Sequence, residues 1–364
     1  MKICFLAPAN NYHTQKWCYY FVTHGYDVSV ISLTEGDIEG VQVYWVRANA
    51  NQDSSDLQKI LYFTQVLKIK KLINRISPDI INVHYATSYG TLAALAGLKN
   101  YVLSVWGADI YDFPRRSFLH KLLLKFSLSR ASFLFSTSKA MAEETKKYTL
   151  KPVYVTPFGV NMNLFNPDKR TRQADGKFIV GTVKKLSPKY GIAEFLQALK
   201  LVREQRPEIP LYARIAGASG KENAGPIYQQ MAKDLGIDDR VEWLGFISQE
   251  DAAREWANMD CAVVFSQYNS ESFGVSAVEA QATGTAVIIS DVPGLMEAAE
   301  PGLTCRVVPR KDIQGLAHEI ISLYDNPQAR MDLGAKGRNF VCHMYEVDSC
   351  FKRVEDYYHK LLHI

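Results

Sequence analysis

Short apolar runs, most of them rich in β-branched or aromatic residues, recur along the chain between longer stretches with helical spacing. Most runs are almost continuously apolar rather than alternating, a pattern typical of parallel strands that helices cover on both faces. The runs are residues 2–8, 27–32, 41–46, 80–85, 101–107, 132–138 and 153–159, then 178–183, 211–217, 241–247, 261–267, 286–290 and 304–309. The pattern predicts two consecutive open α/β domains, with a ligand beyond the carboxyl ends of the strands, in a cleft between the two halves.

The boundary between the two domains is predicted from a break in this pattern. Residues 169–177 contain no large apolar residue, as expected of a linker. The length of 364 residues also exceeds the ~250–300 residues at which single hydrophobic cores stop growing. We therefore expect an N-terminal domain over residues 1–168, a second domain over residues 169–345, and a C-terminal helix over residues 346–364, where apolar residues recur at helical spacing.

Composition narrows the class of protein. The chain is 47% hydrophobic and 22% charged, a globular balance that argues against disorder. No run approaches the ~18 apolar residues that span a bilayer, and the opening residues lack the long apolar region of a secretory signal, so we expect a cytoplasmic location. The six cysteines are scattered without a CxxC pair, which favours buried free thiols.

Charge is distributed unevenly along the chain. Residues 1–170 hold 20 basic and 12 acidic residues, whereas the rest holds 22 basic and 26 acidic ones; the halves are expected to meet different partners, unless a difference of this size is scatter. Residues 115–130 carry five basic residues, no acidic residue, and apolar residues at helical spacing. This segment is expected either to lie on an anionic membrane surface, at ~1 kcal/mol per basic residue, or to be a packed helix with a solvated basic face.

Several nucleotide and metal motifs are absent from the sequence. No GxGxxG follows a predicted strand, and no GxxxxGK[ST] occurs, so a dinucleotide-dependent dehydrogenase and a P-loop ATPase are both poorly supported. Residues 217–221 come closest but fit neither spacing, and we expect a polar loop that closes a strand. The eight histidines form no HExxH set. The sequence therefore predicts no metal site and no cofactor, and we expect no nucleic-acid partner.

The segment 266–284 carries the clearest functional pattern. A predicted strand is followed by a loop with Glu271; Gly274 then permits close backbone approach, and a helix runs to Gly284 as its C-cap. The start of that helix presents unpaired N–H groups and a positive dipole end, which suit a phosphate. Glu279 lies within the helix. Because carboxylates accept hydrogen bonds from vicinal hydroxyls, two of them bracketing an anion site suit a sugar on one side and a ribose on the other.

This segment resembles a known family. The Glu-x7-Glu spacing around the turn at residues 273–275, followed by EA-x-A-x-G at residues 279–284, is similar to the nucleotide-sugar motif of the family-4 retaining glycosyltransferases. Further similarities to that family lie at residues 12–17, 106–109, 157–161, 180–191 and 293–297. The resemblance covers nearly the whole chain. It implies the GT-B fold, in which two Rossmann-like domains face a cleft, with an N-terminal acceptor domain, a C-terminal donor domain and a last helix packed back on the N-terminal domain.

The resemblance also implies roles in the donor site. Lys185 and Lys189 would hold the leaving diphosphate and, with Glu271 on the donor sugar, form the catalytic set. The other donor-binding residues would be Lys184, Phe273, Gly274, Val275, Glu279 and Gly217. The family usually has Arg where Lys185 stands, and Tyr190 is inserted after Lys189, so Lys184 competes with Lys185 for the diphosphate. A solvated basic turn is the alternative for this loop.

The acceptor side is implied in the N-terminal domain, where His13, His84, Trp106 and Asp109 would line it. Trp106 stands where many family members have a histidine in an H-G-x-D turn, and an indole cannot act as a general base. His84 ends a predicted strand and would face the cleft, although a lone histidine is also a common core or loop residue.

The resemblance implies a metal-independent, retaining glycosyltransferase of bacterial polysaccharide or glycolipid biosynthesis. Its partners would be a nucleoside-diphosphate sugar as donor, a glycan or lipid-linked acceptor, and an anionic membrane surface contacted through residues 115–130. Departing phosphate would take the acceptor proton in a front-face displacement, so no protein base is required. The alternatives are a GT-B sugar-nucleotide epimerase or phosphorylase, although no pyridoxal-lysine motif is present, and a non-catalytic sugar-nucleotide-binding protein.

Overall fold

The computed structural model describes residues 1–47, 60–173, 175–220 and 223–362. The chain forms two compact units: residues 1–158 with 348–364, and residues 159–347. The boundary falls ten residues before the one predicted at 168/169 because residues 159–168 pair with the second unit. The Val160 N–H donates to the Tyr345 carbonyl (2.7 Å), and the Val347 N–H donates to the Val160 carbonyl (3.0 Å).

The first unit contains a seven-stranded sheet in the order β3-β2-β1-β4-β5-β6-β7, with every neighbouring pair parallel. Its strands are β1 (Lys2–Leu6), β2 (Asp27–Ser32), β3 (Gln42–Trp45), β4 (Ile80–His84), β5 (Tyr101–Val105), β6 (Phe133–Ser136) and β7 (Val153–Val155). Each strand lies within one of the seven apolar runs. The order along the sheet reverses at β1, which lies between β2 and β4. In open α/β sheets, ligands bind beside such a reversal.

Helices cover both faces of this sheet. The helices of the unit are α1 (Tyr12–Thr23), α2 (Val66–Ile76), α3 (Tyr89–Leu95), α4 (Ala108–Tyr111), α5 (Phe118–Arg130), α6 (Lys139–Lys146) and α14 (Val347–Leu362). Buried residues of α2, α3, α5 and α6 share one core with the strands. The C-terminal helix α14 packs beside α1 on aromatic rings: Phe351 meets Trp17 edge-on (centroids 5.2 Å), and Tyr358 stacks on Phe21 (5.4 Å). The last helix therefore belongs to the N-terminal unit.

The second unit contains a six-stranded parallel sheet in the order β10-β9-β8-β11-β12-β13. Its strands are β8 (Phe178–Val183), β9 (Leu211–Ala216), β10 (Val241–Gly245), β11 (Cys261–Val264), β12 (Ala286–Ser290) and β13 (Arg306–Val308). Its helices are α7 (Ile192–Gln205), α8 (Ala224–Asp234), α9 (Gln249–Asn258), α10 (Val275–Ala282), α11 (Pro293–Glu297), α12 (Ile313–Asp325) and α13 (Pro327–Tyr345). Strand order reverses at β8, between β9 and β11. The two parallel sheets confirm the α/β architecture.

Two smaller predictions concern thiols and membrane spans. All six cysteines are free, and five of them are buried, but Cys342 is exposed, so the prediction of buried thiols is wrong there. Cys342 lies on an outward position of α13, where helical periodicity leaves every turn one solvent-facing side. Across the described ranges, no helix has both the length and the apolar character to cross a membrane.

Candidate active site

The reversal of strand order in the second unit gathers most of the predicted donor residues. Lys184 directly follows β8, and the loop with Glu271 connects the neighbouring β11 to α10. Parallel strands present their carboxyl ends at the same edge of a sheet, so these two connections meet there. The resulting cluster consists of charged groups within hydrogen-bonding distance.

Lys184 and Glu271 form a mostly buried ion pair, with 2.9 Å between Nζ and Oε2 and side-chain exposures of 13% and 9%. The Ser266 hydroxyl donates to the same carboxylate oxygen (3.0 Å). Burial alone would raise the pKa of Glu271, but the charges of Lys184 and Lys189 outweigh it and lower that pKa. Burial likewise opposes the Lys184 charge, but Glu271 and the other negative groups raise the Lys184 pKa. Both partners are therefore held in their charged forms.

Lys189 supplies a second cation to the cluster. Its ammonium donates to the Ser270 carbonyl (2.7 Å), next to Glu271 in the chain, and its own carbonyl accepts the Gln267 N–H (2.7 Å). These bonds tie the loop after β8 to the loop after β11. Lys189 therefore lies beside the loop that carries Glu271, and its role in holding the diphosphate stays a prediction.

Lys185 does not join this cluster, and its predicted role in holding the diphosphate stays a prediction. Lys184 and Lys185 are consecutive residues at the end of an extended strand, where side chains alternate in direction. Lys184 turns inward to Glu271, while Lys185 is exposed and its side chain lies against Gly220. Of the two lysines that competed for the diphosphate, the structure brings Lys184 to the carboxylate.

Two helices begin at the cluster, and both start at a glycine that offers no side-chain cap. The helices α1, α5, α6, α9 and α12 each start with a side chain that caps backbone N–H groups. The helices α2, α3, α4, α8, α11 and α13 lack such a cap. So do α7 and α10, which start at Gly191 and Gly274 with φ angles of 70° and 77°. A Cβ at Gly274 would also press on the Leu295 side chain. Since first-turn N–H groups lack helical acceptors, these two starts suit an anion.

The remaining predicted residues of this unit fall into two groups. Glu279 is buried and close enough to Lys184 for its charge to raise the Lys184 pKa. Phe273 is buried and packs edge-on against Tyr345 (4.9 Å between ring centroids), so its side chain belongs to the core. Only the backbone of Phe273 is available to a ligand at the loop. Val275 is the first residue of α10. The structure therefore assembles both carboxylates, while Phe273 and Val275 can act only through the helix start.

Gly217 is positioned by its backbone. Its N–H donates to the Gly245 carbonyl (2.7 Å), and a Cβ at this φ of 149° would overlap the Lys184 carbonyl. Only glycine permits that approach. The expectation of a polar loop after this strand also included Lys221, which lies outside the described residues.

The predicted acceptor residues gather separately, in the first unit. His84, at the end of β4, has no exposed surface, and its ring lies 4.4 Å from that of Trp106 and 5.1 Å from that of Trp17. Neither His84 ring nitrogen has a hydrogen-bond partner, and burial lowers the His84 pKa to about 3. His13 stacks on Phe158, with centroids 4.1 Å apart. The expectation that His84 faces a cleft is wrong, because the surrounding rings enclose it.

Asp109 is buried and serves the backbone. Its carboxylate accepts N–H groups from Ala86 (2.9 Å), Trp106 (3.1 Å) and Gly107 (2.8 Å). Burial raises the Asp109 pKa, and these hydrogen bonds oppose that rise. The carboxylate fixes the loops after β4 and β5, and a role for Asp109 on the acceptor side stays a prediction.

Sequence reasoning missed two hydroxyl groups at the charged cluster. Ser266 donates to Glu271, and the Ser276 hydroxyl donates to the Val183 carbonyl (3.2 Å), joining α10 to the end of β8. Both lie inside the segment that carried the motif. Buried serine beside a required carboxylate is a usable signal, but serine is so common in loops that the sequence alone does not separate it from a turn residue.

The two parallel-sheet units and the charged cluster at the β8 reversal define a GT-B type α/β protein. Residues 2–138 match the family model described as glycosyl transferase 4-like, and residues 166–340 match the model described as glycosyl transferases group 1. The chain belongs to this family of glycosyltransferases.

Comparison with curated proteins and solved structures agrees with this assignment. A D-inositol 3-phosphate glycosyltransferase of Paenarthrobacter aurescens is 30% identical over 56% of this chain and 52% of its own length. An MMP alpha-(1->4)-mannosyltransferase of Mycolicibacterium hassiacum is 28% identical over 63% of this chain and 54% of its own length. The chain thus spans about half the length of the curated relatives it matches.

Solved structures share the fold along almost the whole chain. A sucrose-phosphate synthase from Thermosynechococcus elongatus has a TM-score of 0.85 at 20% identity, covering 99% of both chains. Anabaena HepE in complex with UDP-glucose has a TM-score of 0.79 at 20% identity, covering 98% of this chain and 99% of its own. At such identity the likeness speaks for the fold alone.

Proposed function

We propose that the protein is a retaining, metal-independent glycosyltransferase that moves a sugar from a nucleoside-diphosphate donor to a glycan or lipid-linked acceptor in bacterial polysaccharide or glycolipid biosynthesis. The observation that carries this proposal is the buried Lys184–Glu271 pair at the uncapped start of α10. Cations and free N–H groups suit a diphosphate, and carboxylates suit hydroxyls.

In this proposal Lys184 and Lys189 stabilise the leaving diphosphate. Each charge pair is worth roughly 4 kcal/mol at ~4 Å and an effective dielectric of 20. Lys184 would leave its contact with Glu271 for the phosphate, which frees Glu271 to accept hydroxyls of the donor sugar. Glu279 would hold the ribose. Negative charge then develops on phosphate oxygens beside positive groups that are already in place.

A transfer assay with labelled donors tests the proposal. The UDP-glucose bound to HepE makes UDP-sugars the first donors to try, followed by GDP- and ADP-sugars. Transfer, or slow hydrolysis of the donor, with the anomeric configuration kept is the expected result. An epimerised nucleotide sugar without release would favour the epimerase. Binding without turnover would favour a non-catalytic protein.

Contact with an anionic membrane is a second part of the proposal, supported by one face of the first unit. On α5 and the turn before it, the side chains of Phe118 and Leu119 are 72% and 74% exposed beside Arg116, Lys121 and Lys125. Exposed apolar side chains among cations suit the boundary between headgroups and acyl chains. A lipid-linked acceptor would be presented at such a surface.

The neighbouring helix α2 has the same character. It carries four basic residues and no acidic one, and its Leu67 is 78% exposed. Both α2 and α5 contact α3, which lies between them on this face. The proposed surface is therefore wider than residues 115–130.

Liposome flotation tests the membrane contact. Replacing Arg116, Lys121 and Lys125 with Gln should weaken binding to vesicles containing phosphatidylglycerol and reduce its salt dependence. Arg115 is left unchanged because it pairs with Glu144 (3.0 Å). The same number of changes at exposed cations of the second unit, Lys233, Lys311 and Lys336, is the matched control. Equal flotation of both variants and the parent would contradict the proposal.

A further inference from the structure

Tyr190 interrupts the family pattern in the 180–191 segment, as Lys185 also does, and the proposed chemistry does not use Tyr190. The Lys184 ammonium lies 4.7 Å from the centroid of the Tyr190 ring, and the Lys189 ammonium lies 5.3 Å from it. One aromatic ring thus meets both cations of the charged cluster. An ammonium within about 6 Å of a ring centroid is attracted by the negative face of the π system.

The backbone fixes the place of this ring. Tyr190 ends the short 3-10 turn Pro188–Tyr190, and its N–H donates to the Ser187 carbonyl (3.0 Å). Gly191 follows in the left-handed region, where a Cβ would overlap the Phe265 carbonyl. The turn is therefore held from both sides, which fixes the backbone of Tyr190 beside the two lysines.

Each ammonium also has an oxygen partner on the loop after β11. Lys184 pairs with Glu271 at 2.9 Å, and Lys189 donates to the Ser270 carbonyl at 2.7 Å. Two like charges therefore lie near each other in a partly buried site, where water screens them poorly. An aromatic face offsets part of this repulsion without adding a negative group that would compete with phosphate for the ammonium protons.

We propose that Tyr190 is a positioning residue that holds the Lys184 and Lys189 ammonium groups together to receive the diphosphate of the donor. The inference rests on the proposed function, because it requires a nucleoside diphosphate at this cluster. The aromatic ring of Tyr190, and not its hydroxyl, positions the two ammonium groups. The loss of the ring should weaken binding of the diphosphate, while the loss of the hydroxyl should not.

Calorimetric titration with UDP and GDP compares the wild type with Tyr190→Leu and Tyr190→Phe. We expect about tenfold weaker binding for Tyr190→Leu and a change within about twofold for Tyr190→Phe. The matched control is Tyr212→Leu, because the Tyr212 ring also meets two cations, Lys177 at 4.5 Å and Arg240 at 4.7 Å, but on β9. This control should bind as the wild type does, and thermal unfolding confirms that each variant is folded.

A double-mutant cycle shows whether Tyr190 acts through the lysines. On a Lys189→Met background, Tyr190→Leu should cost clearly less than it costs in the wild type, because one of its two partners is gone. Three results would each overturn the assignment of Tyr190 and leave the proposed function standing. The affinity losses of Tyr190→Leu and Lys189→Met could be additive, or Tyr190→Leu could bind the nucleoside diphosphate as the wild type does. Alternatively, Tyr190→Phe could bind it as weakly as Tyr190→Leu. A folded wild type that binds no nucleoside diphosphate would instead overturn the proposed function, and this inference with it.

Discussion

The two Rossmann-like units place polar side chains at the same topological position, yet the two clusters differ in chemistry. At the β8 reversal, Lys184, Glu271 and Lys189 are charged and each has a partner. At the β1 reversal, His84 is neutral, fully buried and enclosed by rings, with neither ring nitrogen hydrogen-bonded. Topology therefore fixes where a site can form, while the local side chains decide whether it is an ionic cluster ready for an anion or a closed aromatic one.

The energetic consequences of the two arrangements also differ. Removing one partner of a buried ion pair typically lowers the free energy of unfolding by about 3–5 kcal/mol, because the remaining charge is left unpaired. A buried imidazole without partners is already unfavourable, so its replacement by an apolar ring removes a cost. Mutation should therefore damage the charged cluster and leave the aromatic one intact or stabilised. The predictions below test that contrast, from the largest expected effect to the smallest.

The largest effect is expected for Glu271→Ala. It removes contacts at the reacting sugar, where charge and shape change as the bond breaks, so kcat should fall by roughly 100-fold or more. Binding of the free nucleoside diphosphate should not weaken, since that ligand has no sugar and Lys184 loses its competing partner. Steady-state kinetics and calorimetry measure the two effects. Equal loss of nucleotide binding in Glu271→Ala and Glu279→Ala would contradict the division of roles between the two carboxylates.

Glu279→Ala should show the opposite division. Its proposed contact with the ribose is nearly the same in the ground and transition states, so KM for the donor should rise while kcat changes less. The expected loss is ~1.5–3 kcal/mol, typical of a hydrogen bond to a charged group, or roughly 10- to 150-fold in affinity. Calorimetry with the nucleoside diphosphate is the measurement. Glu319→Ala, on α12 and paired with Arg306 (3.6 Å), is a control in the same unit; if it weakened the nucleotide as much, the ribose contact would be refuted.

The aromatic cluster is tested by the pH dependence of stability. The folded-state pKa of His84 is about 3, below its ordinary 6.5. Between these two values the imidazole is protonated in the unfolded chain and neutral in the folded chain. Stability is therefore complete above pH 6.5 and falls as the pH drops toward 3, by about 2 kcal/mol at pH 5. The variant His84→Phe should lose this dependence and melt no lower than the wild type at pH 7.5.

Thermal unfolding from pH 7.5 to 4.5 measures this difference. The exposed His343→Gln is the control, and its pH profile should follow that of the wild type. A His84→Phe variant that melts several degrees lower at pH 7.5 would show that the imidazole makes a favourable interaction, and the contrast between the two clusters would then fail.

The sequence predicted the strands far better than the side-chain directions. Each strand lies in a predicted apolar run because burial on both faces leaves a continuous apolar pattern, which is legible without knowing the neighbours. The motif around Glu271 and Glu279 was legible for a similar reason, since a loop, a glycine and a helix start follow one another in the chain. Contacts between segments that are far apart in the chain leave no such local pattern in the sequence.

Lys184 and His84 show what could not be predicted. Adjacent lysines are equivalent in the sequence, and only the pairing of β8 with β11 decides that Lys184, rather than Lys185, meets Glu271. His84 ends a strand, as predicted, but its enclosure depends on Trp17 from α1 and Trp106 after β5. The domain boundary was misplaced for the same reason, because Val160 bonds to Tyr345 at the far end of the second unit.

The smallest expected effect is that of a chelator, and it sharpens the comparison because it asks what supplies positive charge to the ionic cluster. If Lys184, Lys189 and the start of α10 stabilise the leaving diphosphate, then transfer with excess EDTA should stay within about twofold of the untreated rate. Lys189→Met should in turn lower kcat, and added Mg²⁺ or Mn²⁺ should not restore it, since an ammonium is tethered to the fold and a free cation is not. The measurement is the initial rate of sugar transfer at saturating donor, with and without EDTA. Activity that disappears with EDTA and returns with Mg²⁺ or Mn²⁺ would mean that a metal does the work assigned here to the two lysines.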